Sequence, residues 1–316
     1  MFITITRIIP QKIHRMAIRP RKVLLVGGHG CTAQYITTIL LSQGHTVYSL
    51  IRNTSQIPEI RKLAEPFPKA ELVPLVHDLN GISTHEVQEV LSHGDGAIEW
   101  VIWAAGAKAN ISRHPQDQLS VERDAALLFI KQARGERISP RGNVKRFIFI
   151  SACICRNEPA PWWSPDTTEY YKRMKNETVP TYVEAKTEVD TILVEECRAH
   201  VKSLVQKGGL IGGEDDSEEG CFSALSIRPG ELRDTPATGK CDLGETRMAM
   251  EPLSRQDLAG VVVELCEARR GKEGGGGVGC RWLDVARGEE SIKQAVERCI
   301  EEDVDTSAMG GMVRNL

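Results

Sequence analysis

The sequence predicts a doubly wound, mostly parallel α/β domain, and three observations carry that expectation. Short runs that are apolar throughout alternate with helical patterns, and such runs belong to a parallel sheet covered by helices on both faces. The first run, residues 23–26, leads through Gly27, Gly28 and Gly30 into a helical stripe of Ile36, Ile39, Leu40 and Leu41. With 316 residues the chain has room for one large α/β domain and a small C-terminal substrate-side part, but not for two full domains.

The elements follow in order. Gly44 ends the first helix and residues 46–51 read as the second strand, which completes a strand-helix-strand unit. A polar helix near 55–64, a strand at 70–76 and a short helix near 83–92 come next. A strand at 100–105, a long helix near 117–134 and a strand at 146–150 follow, and a late strand lies at 281–285. The expected organisation is a flexible extension over 1–21 and a single domain over 22–303, with substrate-side elements at about 156–182 and 206–252 and a tail over 304–316. Residues 206–220, rich in glycine and acid, are a mobile insertion or a substrate lid, and the glycine run 271–279 is a connector. The first 22 residues carry Arg7, Lys12, Arg15, Arg19, Arg21 and Lys22 and no acid. They are an extension, with Met16 as an alternative start, or an organelle presequence. The cytoplasm is the expected compartment and the mitochondrion its alternative.

Composition narrows the partners. A net charge of −3 with both signs dispersed offers no basic surface for nucleic acid, and no stretch approaches the ~20 apolar residues of a membrane span. The nine cysteines include no Cys-x-x-Cys pair and no zinc spacing. The expectation is free, mostly buried thiols in a reducing compartment and no metal. The partner expected is a small molecule, joined by a protein if the function is sensing.

The glycine turn has the composition of a pyrophosphate site. Glycines allow the main chain to approach phosphates, and the following helix aims free N–H groups and its dipole at the negative charge. Two registers fit, Gly28-x-Gly30-x-x-Ala33 and Gly27-x-x-Gly30-x-x-Ala33, so that Gly27, Gly28, His29, Gly30, Cys31, Thr32 and Ala33 are candidate cofactor contacts. His29 either leans on a phosphate or is an exposed loop residue. At the end of the second strand, where an acid would accept from ribose hydroxyls, stands Arg52. A guanidinium there suits a 2′-phosphate, worth roughly 1.5–3 kcal/mol, which favours NADP and leaves NAD as the alternative. Asp78 with Leu79, after the third strand, can accept from an adenine amino group, and the small residues Ala104, Ala105 and Gly106 leave room for a nicotinamide. Each of these is otherwise an ordinary loop.

Tyr182-Val183-Glu184-Ala185-Lys186 is either the chemical pair or an ordinary surface helix pair. On a helix, positions four apart share a face, so phenol and ammonium converge, and the ammonium lowers the phenol pKa toward the working pH.

The glycine turn, Asp78-Leu79, Ala104-Ala105-Gly106, residues 146–151, Tyr182-x-x-x-Lys186 and the late Arg228-Pro229-Gly230 segment together resemble the short-chain dehydrogenase/reductase superfamily. The likeness is closest to its atypical or extended branch, which includes fungal NmrA-like, single-domain NAD(P)-binding proteins. It runs from about Val23 to Val285 and implies a Rossmann fold. The resemblance implies that Tyr182 is the general acid or base and that Lys186 holds the nicotinamide ribose. It further implies that Ser151 polarises a carbonyl and that Pro229, with its neighbours, lies beside the nicotinamide. Ser151-Ala152-Cys153 matches the family's serine pair only in part. The inserted segment 156–180, with Trp162, Trp163, Tyr170 and Tyr171, is either an aromatic wall over the nicotinamide or plain packing. The function expected is NADP(H)-dependent oxidoreduction of a carbonyl or secondary alcohol on a small, apolar or aromatic molecule. The alternatives are a catalytically silent NAD(P)-binding sensor and an epimerase or dehydratase with bound cofactor.

Overall fold

Leu24, Leu25 and Val26 are wholly buried, as a strand in the middle of a helix-covered sheet requires. The computed structural model describes residues 19–96, 98–106, 119–134, 144–206, 222–247, 249–268 and 279–307. The strands are β1 (Lys22–Val26), β2 (Thr46–Ile51), β3 (Leu72–Val76), β4 (Trp100–Trp103), β5 (Arg146–Ile150), β6 (Ser223–Pro229), β7 (Leu232–Arg233), β8 (Lys240–Gly244), β9 (Leu253–Ser254) and β10 (Cys280–Ser291). Eight of them form one sheet in the order β3-β2-β1-β4-β5-β6-β10-β8, and β7 pairs with β9 apart from it. All pairings in the large sheet are parallel except β10 with β8. The expected doubly wound, mostly parallel Rossmann-like α/β architecture is the observed one.

Helices cover both faces. They are α1 (Cys31–Ser42), α2 (Ile57–Lys62), α3 (Thr84–Leu91), α4 (His93–Gly96), α5 (Ala126–Arg134), α6 (Pro165–Arg173), α7 (Pro180–Gln206), α8 (Arg255–Glu267) and α9 (Ile292–Glu301). One face buries Ile36, Leu40 and Leu41 of α1 with Leu258, Val261 and Val262 of α8. The other buries Val87 and Val90 of α3, Phe129 and Ile130 of α5, and Val189 and Leu193 of α7. Each such aliphatic or aromatic side chain contributes about 1.5–3 kcal/mol. A third cluster, around Cys153, Cys155, Trp163, Tyr171 and Val183, packs the segment after β5 onto the start of α7.

Four features depart from the sequence reading. The helix expected near 117–134 is described from residue 119 and opens with a π turn, Ser120–Ala125. The wider turn sets Glu122, a fully buried carboxylate, inward. Free thiols throughout are corrected as well, because Cys197 of α7 and Cys280 of β10 form a disulfide with Cα atoms 5.9 Å apart. Their separation of 83 positions hides a pairing that only the docking of α7 on the sheet creates. The tail expected from 304 onward begins later, since Thr306 is fully buried and its N–H donates to the Trp282 carbonyl at 2.9 Å. The late strand is longer than expected and carries a bulge between Ala286 and Glu290. The glycine-acid loop from 207 on and most of the 271–279 run lie outside the described residues. Among the described residues no helix is long and apolar enough to cross a membrane.

The disulfide closes a long loop, so Cys197→Ser is expected to lower the unfolding free energy by about 2–4 kcal/mol without reductant. Denaturant titration checks this, and wild type in dithiothreitol should match the variant. A midpoint that reductant leaves unmoved would contradict the bond.

Candidate functional site

Because β1 to β6 are parallel, their carboxyl ends share one edge, and strand order reverses between β1 and β4. A crevice opens at such a reversal. Its floor is the glycine turn. Gly27 has φ +81°, and a Cβ there would sit 2.5 Å from the Ala105 Cα. A Cβ on Gly28 would fall 1.9 Å from the Ser49 Oγ. Gly30 caps α1 and donates its N–H to the Gly27 carbonyl at 2.9 Å, while Ala33 is fully buried. The tight turn therefore follows the Gly27-x-x-Gly30-x-x-Ala33 register, with Gly28 fixed separately by Ser49. The first N–H groups of α1, on Cys31, Thr32 and Ala33, have no acceptor within the helix. No side chain caps this end and no acid stands in its first turn. These properties fit a dinucleotide phosphate, whose charge would meet the helix dipole and open donors.

The remaining cofactor candidates lie along the same edge. Arg52 is exposed at the end of β2, and its guanidinium has no partner among the described residues. Asp78, also exposed, accepts from the Asn80 N–H at 3.0 Å, so the acid already caps its own turn, with Leu79 half-buried beside it. The Ala104 N–H donates to the Val26 carbonyl, Ala105 packs under Gly27 and Gly106 faces Glu122. The His29 ring departs from the phosphate-facing reading. Its Nε2 is 2.8 Å from Glu59 Oε2, and the same carboxyl accepts from Gln34.

Tyr182 and Lys186 lie on one face of α7, with the Lys186 Nζ 5.5 Å from the centre of the Tyr182 ring. Lys186 is spoken for on two sides: its ammonium donates to the Ile150 carbonyl at 2.9 Å and stands 3.2 Å from Glu122 Oε2. The Tyr182 hydroxyl has no hydrogen-bond partner among the described residues. The lowered phenol pKa expected from the Tyr-Lys spacing is corrected. Burial raises the phenol well above its ordinary value, and the carboxylates of Glu122 and Asp190 push the same way.

Ser151 departs from its expected role too. Its Oγ donates to Asp190 Oδ2 at 2.6 Å, inside the protein. Asp190 also accepts from Ser226 Oγ at 2.5 Å and from the Arg228 guanidinium at 2.7 Å. Arg228, expected beside the nicotinamide, is fully buried between Asp190 and Asp284 and donates to the Cys155 carbonyl at 2.6 Å. Pro229 follows it, buried, its carbonyl accepting from the Cys153 N–H. Asp284 accepts from Arg156 as well, both oxygens at 2.6 Å. The Trp282 ring lies 4.0 Å from Arg228 and 5.8 Å from Arg156. Burial lifts the Asp190 carboxyl above its ordinary pKa, with Arg228 and the two hydroxyls opposing. Of the aromatic segment, Trp163 and Tyr171 are buried, and the Tyr171 hydroxyl donates to the Arg156 and Asn157 carbonyls. For these two, packing is the observed role, while Trp162 and Tyr170 are half-buried in the cluster that includes Tyr182.

Glu122, Asp190, Asp284 and Arg156 were not singled out from sequence. Asp190 alone left a signal, standing four positions after Lys186 and eight after Tyr182 on the same helical face.

No curated protein matches the sequence. Among solved structures, a Bacillus halodurans protein provisionally named as an NAD-dependent epimerase/dehydratase is 21% identical, with a TM-score of 0.60 over 88% of this chain and 99% of its own. ChuY of Escherichia coli O157:H7, an anaerobillin reductase, is 14% identical, with a TM-score of 0.52 over 85% of this chain and 98% of its own. Pen of Bacillus thuringiensis is also 14% identical, with a TM-score of 0.54 over 91% and 77%. At such identities the likeness is one of fold. A model of the NAD(P)H-binding family matches residues 27–196, more than half of the chain, and this protein belongs to that family.

Proposed function

We propose that the protein is an oxidoreductase of the short-chain dehydrogenase/reductase type that acts on a carbonyl or secondary alcohol of a small, apolar or aromatic molecule. The observation that carries this reading is the placement of Tyr182 and Lys186 on one face of α7, at the strand edge that holds the glycine turn. The dinucleotide supplies the hydride when bound. The chain's own groups handle the proton. A phenol kept neutral is a donor to a substrate oxygen that gains charge, and its hydroxyl has no competing partner among the described residues. Lys186 is fixed by the Ile150 carbonyl and Glu122, which leaves one of its N–H groups for a ligand. The guanidinium of Arg52, without a partner among the described residues, supports NADP as the preferred dinucleotide.

One observation favours a second reading. Ser151 sends its proton to Asp190 and so gives no donor to a carbonyl, which suits a dinucleotide-binding sensor without turnover. Fluorescence titration with NADPH and NADH, followed by a panel of quinones, aldehydes and aromatic ketones, separates the two. Binding with oxidation supports the reductase, and binding without it supports the sensor.

Tyr182→Phe is expected to reduce turnover by about 10²–10⁴-fold while leaving the dinucleotide dissociation constant unchanged. Undiminished turnover would remove Tyr182 from its role. Arg52→Ala should weaken NADPH roughly 10- to 100-fold and NADH little, as loss of a hydrogen bond to a charged group requires. Equal losses would refute the 2′-phosphate assignment. In the cofactor-free protein, an ultraviolet difference titration of wild type against Tyr182→Phe should show no tyrosinate from this residue up to pH 10, the ordinary phenol value. Ionisation near neutrality would show that Lys186 prevails over burial.

A further inference from the structure

Ser151 and Asp190 fix a hydrogen-bond direction. The carboxyl of Asp190 receives three donors on its two oxygens: Ser151 and Arg228 on Oδ2, at 2.6 and 2.7 Å, and Ser226 on Oδ1, at 2.5 Å. Asp190, Arg228, Asp284 and Arg156 are all fully buried, two anions against two cations, so electroneutrality in the interior requires both carboxyls to be ionised. An ionised carboxylate only accepts. The single proton of Ser151 is thereby committed to Asp190, and its remaining valence is two lone pairs.

The backbone holds this arrangement in place. The Ser151 N–H donates to the Ile227 carbonyl at 2.8 Å, and the Trp282 indole N–H donates to the Asp190 carbonyl at 3.0 Å. The other polar neighbour of Ser151 is the Cys155 thiol, which burial keeps protonated by pushing its pKa up to about 12. A protonated thiol is a weak acceptor, so it does not compete with the Asp190 carboxylate for the serine proton.

We propose that Asp190 is a positioning residue that turns Ser151 into a hydrogen-bond acceptor, so that the site selects carbonyl compounds carrying an O–H or N–H donor beside the reacting carbon. The polarity of Ser151 stands on the geometry alone; its consequence for substrates rests on the oxidoreductase reading. A ketone without a neighbouring donor gains nothing from Ser151. A hydroxyketone, or a carbonyl flanked by an N–H, meets the neutral phenol of Tyr182 with its oxygen and Ser151 with its donor.

Two experiments test this. In a neutron structure of the deuterium-exchanged, cofactor-free protein, the Ser151 deuteron should lie on the line to Asp190 Oδ2. A deuteron pointing away from Asp190 overturns the proposal whatever the enzyme does. The kinetic test compares 2-hydroxyacetophenone with acetophenone under NADPH. Wild type should favour the hydroxyketone by about tenfold in kcat/KM, through KM, as one hydrogen bond allows. Ser151→Ala should erase that preference, bringing the kcat/KM ratio of the two ketones to about one. A loss of about a hundredfold in acetophenone kcat, the size expected for a lost oxyanion donor, would show that Ser151 donates after all. In Asp190→Asn the amide oxygen takes the Oδ2 position, where Arg228 and Ser151 both donate, so the preference should persist; Asp190→Leu offers no acceptor, frees the serine proton and raises acetophenone kcat. If Asp190→Leu does not fold, Ser151→Ala and the neutron map still decide. Failure of wild type to reduce either ketone, with the deuteron on Asp190, refutes the substrate consequence for this pair and counts against the oxidoreductase reading, while the polarity of Ser151 stands.

Discussion

The substrate side of the molecule depends on one buried ionic ladder, Asp190–Arg228–Asp284–Arg156. Removing four charges from water costs several kcal/mol per ion, and the mutual attraction offsets this only when geometry is good and every remaining donor is used. The ladder meets both conditions at most of its points. Its closest contacts are 2.6 and 2.7 Å, Arg228 also donates to the Cys155 carbonyl, and Arg156 donates to the Thr306 carbonyl. Breaking a rung would strand a charge in the core, so α7, β6, β10 and the 151–156 segment are held to a common geometry. That shared geometry places Ser151 and the first turns of α7, with Tyr182 and Lys186, at the carboxyl end of β5, on the sheet edge that also carries the glycine turn.

The legibility of these parts in the sequence follows from their range. The glycine turn is local: Gly27, Gly30 and Ala33 lie within seven residues, so the sequence alone marks the turn, while the choice between its two registers needs the contacts of Gly27 and Gly28 with Ala105 and Ser49. The alternating strands and helices are local in the same sense. The ladder joins Asp190 to Arg228, Arg228 to Asp284 and Arg156 to Asp284 across 38, 56 and 128 positions, and no periodicity connects residues so far apart. The same holds for Cys197 and Cys280. The donor role of Ser151 is what the family resemblance implies, and no local pattern ties that serine to Asp190, 39 positions away.

Tyr182 shows how a local rule yields to its surroundings. The spacing to Lys186 does put ammonium and phenol on one face, as the helix geometry requires. The charge of the ammonium is then cancelled by Glu122, delivered by a π turn that a helical pattern does not reveal, and desolvation governs the phenol. Three cations and three anions thus balance in the interior around the site, Lys186 with Glu122 and the four ladder residues.

The Thr306 carbonyl is a ligand of Arg156, and its hydroxyl reaches Asp284 at 3.4 Å. Synthesis runs from the N-terminus, so the glycine turn and the first strands can pack while later residues are still inside the ribosome. Arg156 cannot complete its set of acceptors at that stage, because Thr306 emerges last among the groups that hold it. Completion of the substrate side therefore trails the nucleotide-binding half by the synthesis of the 150 positions that separate Arg156 from Thr306, and a nascent chain that has already packed its first strands carries an unfinished ionic core over that interval.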